Sequence, residues 1–165
     1  MSVRTITGTA VLLAVALLAQ ALRLFVPIPN TVSMFLIGTI VGLAMVMATW
    51  RYGTTSGLII AWVTPVVAFM QGMLPFMPFI PIVGLGSSVF VLLAYVMKGR
   101  NSILVAMICA LGKAAVLYGG FTILFMGIHI GGPIRTAILF SMGWPQLVTG
   151  ALAVLFAALI DRRVG

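Results

Sequence analysis

Lys113 stands in the middle of residues 103–126, ILVAMICALGKAAVLYGGFTILFM, a run long enough to cross a bilayer. At 1.5 Å of rise per residue it sits about 15 Å in from Ser102, near the centre of a ~30 Å hydrocarbon layer. A charge at that depth costs roughly 2.5–3.5 kcal/mol on insertion scales, so it has to face a cavity, a partner or a bound anion. No other lysine or arginine of the chain is placed so deep.

The other side chains able to recognise a ligand gather on one side of the predicted membrane. Arg23, Asn30, Gln71, His129, Arg135 and Gln146 all fall at helix ends or loops there. Tyr118 lies about one turn from Lys113 on the same helix. Trp144 and the Pro-Phe segment 75–81 add aromatic surface. An apolar wall with a few directed polar groups is the usual make-up of a small-molecule pocket. Each member also has a purely structural reading. Arg23 and Arg135 can snorkel to lipid headgroups. His129 can be a solvated loop residue and Trp144 an interfacial belt residue. Gln71 and Gln146 can satisfy backbone groups freed beside prolines. The eleven methionines fall in no single stripe, which suits lipid contact or core better than a metal site.

No catalytic set emerges. Asp161 is the one acid in 165 residues, which excludes paired-carboxylate chemistry. Cys109 and His129 are single, on opposite sides of the predicted span, and make neither a hydrolytic nor a zinc site. An acid-based intramembrane proton relay is missing as well. The expectation is a binder, not an enzyme, without cofactor or metal.

Composition dictates what must position these groups. The chain is 63% hydrophobic and 6% charged, where a soluble domain carries about 25% charged residues; its mean hydropathy is +1.31. That predicts an all-α integral membrane protein, a six-transmembrane-helix bundle forming a single domain over residues 1–165. The helices are expected at 6–25, 33–50, 55–74, 82–97, 103–126 and 144–160. Prolines 27 and 29 break the chain after the first helix. Segment 75–81, with its three prolines, reads as non-helical backbone that lines the mouth of a pocket. Residues 136–143 read as an irregular apolar piece, and Pro145 suits the first turn of the last helix. Gly38 and Gly42, like Ala10 and Ala14, form small-x-x-x-small pairs that let another backbone come close in lipid.

A secretory signal peptide ending near Ala19-Gln20-Ala21 would also fit the first residues, but cleavage would leave an odd number of spans. With six spans, one side holds Arg4, Arg51, Lys98, Arg100, Arg162 and Arg163 and the other Arg23 and Arg135. Six against two places both termini in the cytoplasm. The net charge of +8 is dispersed between apolar runs and does not form a nucleic-acid patch. No nucleotide-binding loop is present, so ATP-driven transport would require another chain.

Taken in order, several segments resemble the substrate-binding S component of energy-coupling factor (ECF) transporters. They are the alanine-rich first helix with Ala10-x-x-x-Ala14, Gln20-Ala21-Leu22-Arg23 followed by Val26-Pro27-Ile28-Pro29, and Phe35-Leu36-Ile37-Gly38. Pro65 through Gln71-Gly72 with Pro75, Gly84-Leu85-Gly86, Gly112-Lys113-Ala114 and Trp144-Pro145-Gln146-Leu147-Val148-Thr149-Gly150 complete the set. The resemblance implies a multi-pass protein of a prokaryotic cell membrane that captures a vitamin or related micronutrient from outside. It implies as partners a transmembrane coupling subunit and a pair of ATPases, whose hydrolysis topples the S component in the bilayer. Ala10 and Ala14 would then contact the coupling subunit, and loop 26–32, short for a lid, would share that work with 75–81. Family members bind diverse ligands. Lys113, Arg23 and Arg135, without an outer carboxylate, favour an anionic one. The competing expectations are an accessory or structural membrane subunit without a small ligand, and a small oligomeric carrier.

Overall fold

Apolar runs separated by glycine, proline and asparagine become seven helices in this structure, a computed structural model that describes residues 2–26, 29–128 and 131–164, the side chains of Asn30 and Val164 aside. They are α1 (Val3–Phe25), α2 (Asn30–Tyr52), α3 (Thr54–Met70), α4 (Phe79–Val96), α5 (Ser102–Gly127), α6 (Gly132–Met142) and α7 (Trp144–Val164). No strand occurs among the described residues. By length and composition, α1, α2, α4, α5 and the stretch 132–163 are long and apolar enough to cross a membrane, and α3 is a shorter apolar helix of 17 residues. Large apolar side chains stay outside, as lipid-facing ones must: Leu18, Phe25, Val96 and Ile123 are each at least 70% exposed.

The helix ends follow local chemistry. Ser2 caps α1 by accepting from the Thr5 amide, and Asn101 caps α5 by accepting from the Ile103 amide. α3 ends four residues before the expected position 74. Gly72, at φ +70°, takes the left-handed residue of a Schellman motif. The Met73 amide donates to Ala68 O and the Gly72 amide to Phe69 O, which closes the helix.

Two expectations of irregular backbone are corrected. Residues Phe79 to Pro81 are helical, because Pro81 falls in the first turn of α4, where a missing N–H has no intrahelical partner to lose. Only the linker before them stays irregular. Likewise 136–143 is not irregular: residues Thr136 to Met142 belong to α6. That helix opens on Pro133 and is stopped at Gly143, two signals that bracket a helix of 11 residues. The last helix runs four residues past 160, carrying Arg162 and Arg163 in its final turn, where cations suit the helix dipole.

Helices α2, α3, α4, α5 and α7 close a ring, each packing on the next and α7 returning to α2. α1 leans on α2 and α3 from outside, and α6 packs against α5 and α7. Close approach between α2 and α7 depends on two glycines. A Cβ on Gly42 would lie 2.8 Å from the Ala153 Cβ, and one on Gly38 would lie 3.1 Å from Thr149 Cγ2. Two apolar clusters fill the ring. One, around Met45, Ile60, Phe90, Val105 and Val154, occupies the half nearer the termini. The other, around Phe79, Leu117, Phe121 and Phe125, occupies the opposite half. The space between them is the part of the molecule that the core leaves unfilled.

Candidate ligand site

Lys113 projects into that space. It is 8% exposed, and its Nζ lies 5.3 Å from the centroid of the Phe90 ring. Among the described residues it makes no hydrogen bond and no ion pair. A cation over an aromatic face gains about 0.5–2 kcal/mol, less than the roughly 2.5–3.5 kcal/mol that a mid-membrane charge costs. The ammonium is therefore incompletely compensated by the protein itself.

The chamber it lines holds about 180 Å³, with Gln20, Thr64, Ser87 and Gln146 as the polar groups and Ile37, Val41, Met45 and Leu117 among the apolar ones. Gln20 is buried on α1, its Nε2 donating to Thr64 O at 3.2 Å, while its Oε1 has no partner among the described residues. The Thr64 hydroxyl turns back to Ile60 O at 2.8 Å. A second chamber of about 340 Å³ opens above the first. Arg23, Ser33, Ser141 and Gln146 line it, with Met34, Met73, Leu74, Pro75, Phe79 and Ile138. Ile37, Gly38, Leu74, Met142 and Gln146 belong to both walls, so the two chambers adjoin, one holding Lys113 and the other lying toward the end opposite the termini. The single acid of the chain, Asp161, lines neither chamber, and the electrostatic character of both is positive.

Of the residues expected from sequence, Lys113, Arg23 and Gln146 are brought to these chambers. Tyr118 is not: it is 51% exposed and lines a separate shallow groove with Phe140 and Trp144. Trp144 itself is 47% exposed and packs against Phe35 and Phe140, at centroid distances of 5.5 and 5.7 Å. Arg135 is exposed on α6. Gln71 is the C-cap of α3, half-buried, with its Oε1 unpartnered among the described residues, and it lines neither chamber. Asn30 starts α2, but its side chain, like all of His129, lies outside the described residues. Ala10 and Ala14 are exposed on α1.

Gln20, Thr64 and Ser87 line the inner chamber without any motif to mark them; their one sequence signal is polarity inside an apolar helix, since a buried polar side chain in a membrane bundle faces a partner or a cavity. Among the described residues no three His, Cys, Asp or Glu come together as a metal site. What the arrangement can do chemically is hold a small anion on Lys113, with amide and hydroxyl groups around it. In comparisons with known proteins the chain matches no family model, and no curated protein or solved structure shows significant similarity to it.

Proposed function

We propose that this chain is the membrane-embedded capture subunit of a micronutrient uptake system, of the ECF S-component kind. It takes a small, vitamin-like anion from the outer side and works with a separate coupling subunit and a pair of ATPases. In this reading the protein crosses a prokaryotic cell membrane six times with both termini in the cytoplasm, and the outer chamber opens outward. Lys113 holds the anionic group. Gln20, Thr64, Ser87 and Gln146 offer hydrogen bonds to the rest of the ligand, and Arg23 draws the anion into the outer chamber. No step of chemistry is assigned to the chain.

The observation that carries this reading is a buried ammonium, unpaired among the described residues, on the inner of two adjoining chambers with no carboxylate on their walls. A structural subunit would have little use for it, because an unpaired charge there only destabilises the bundle. The experiment is mass spectrometry of the small molecules released from gently purified protein, followed by a thermal-shift panel of vitamins and their precursors. One stoichiometric anion whose binding raises the Tm is the expected result. If nothing is released and no panel member raises the Tm, the accessory-subunit reading takes its place.

A further inference from the structure

At the end that carries the termini, the cleft between α5 and α7 holds two adjoining cavities of different character. The first, of about 230 Å³, is walled by Lys98, Arg100, Arg162 and Asp161. The second, of about 480 Å³, runs along the outside of the bundle past Ile103, Leu155 and Leu159. Ser102, Ala158 and Arg162 belong to both, so the polar pocket adjoins the apolar groove. We propose that this cleft binds one anionic glycerophospholipid, with its phosphate on Arg100 and Arg162 and an acyl chain along Ile103, Leu155 and Leu159.

Charge decides the headgroup. Three cations and one carboxylate line the polar pocket. The carboxylate is already taken, since Arg51 Nε lies 2.8 Å from Asp161 Oδ1. Lys98 donates to Trp50 O, and Arg162 donates to Ser102 Oγ at 3.2 Å, so both cations are held beside the opening. Guanidinium groups match phosphate oxygens two at a time, and a zwitterionic headgroup would bring its own cation into this field. Depth decides the rest. Leu155 is seven residues before Arg162 on α7, about 10 Å deeper along the helix. Ile103 and Leu159, 64% and 55% exposed, already present apolar surface to the membrane there. A free phosphate would leave this groove uncovered, whereas a lipid covers pocket and groove together. The site lies about 16 Å from Lys113 along α5, shares no lining residue with either chamber, and does not depend on what the chain transports.

Detergent-stripped full-length protein would be mixed with equal amounts of dioleoyl-phosphatidylglycerol and dioleoyl-phosphatidylcholine, retained lipid read by native mass spectrometry and Tm measured with each lipid. Phosphatidylglycerol should be kept one to one and should raise the Tm, with phosphatidylcholine doing neither. The pair Arg100→Gln with Arg162→Gln should retain on the order of tenfold less. Leu159→Trp, which leaves every charge in place and fills the groove at an exposed position, should lose the lipid as well. Equal retention of both lipids, or wild-type retention in either variant, would overturn the proposal. A Tm rise with sodium phosphate equal to that with phosphatidylglycerol would overturn it too, in favour of an anion site without a lipid.

Discussion

A buried lysine is an unusual residue to keep unless a ligand uses it, and the two sides of that balance can be measured separately. Lys113→Met replaces an incompletely compensated ammonium with an apolar side chain of similar length. The ligand-free protein should then become more stable, by about 0.5–3 kcal/mol, the difference between the insertion cost and the contact with Phe90. The same change should abolish the Tm rise given by the bound anion. A variant that is no more stable than wild type, or that still responds to the ligand, would argue that Lys113 is paired in some other way. Lys113 was legible in the sequence because one charge in an apolar run has few explanations. Tyr118 was misplaced for a geometrical reason: five residues turn a helix through about 500°, some 140° away from the face of Lys113. Leu117, four residues on, is the neighbour that reaches the chamber. Gln20 and Ser87 were harder to find, since nothing local distinguishes a polar residue facing a cavity from one facing another helix.

Helices pack here through small residues, so substitutions at them should sort by what lies opposite. Gly42→Ile would drive a side chain into Ala153 and separate α2 from α7, costing about 1–3 kcal/mol. Gly119→Ala on α5 meets nothing within 4 Å and should be neutral or stabilising by up to about 1 kcal/mol. Thermal melts of the two variants in one detergent test the contrast, and equal Tm values would remove close packing as the role of Gly42. Ala10 and Ala14 are exposed on α1, and under the proposed uptake function they would offer a face to a second chain. If the proposed coupling subunit docks there, Ala10→Trp and Ala14→Trp should keep ligand binding and lose co-purification with it; intact co-purification in both would free α1 of that role. The long apolar runs read as helices because nothing else satisfies their backbone in lipid. Shorter elements were less legible. Proline and glycine mark both the start of a helix and the middle of a loop, and α6, with no buried residue, carries no clear packing stripe to decide between them.

For the molecule as a whole, the distribution of charge makes a statement about orientation that single contacts do not. The Arg51–Asp161 pair is about a third exposed and contributes at most about 1 kcal/mol to stability. Its larger consequence is that the end bearing it also bears Lys98, Arg100 and Arg162, joined to neighbouring helices by hydrogen bonds or lining one pocket. Arg23 lies on the cavity at the other end. If that basic end faces the cytoplasm, the outer chamber opens outward and the ligand arrives from outside. The weak point is α3, whose 17 residues give only about 25 Å of helix. If α3 did not cross, the α3–α4 linker would stay on the cytoplasmic side and the outer chamber would lose part of its wall, Met73 to Pro75. Single cysteines at Ser2, Gly72 and Arg163 distinguish the cases, because Cys109 is buried and should stay silent to a polar maleimide. In intact cells Gly72→Cys should be labelled, whereas Ser2→Cys and Arg163→Cys should react only after the membrane is opened. Labelling at either terminus in intact cells, or protection of Gly72→Cys, would invert the topology or remove a span, and outward capture on Lys113 would fall with it.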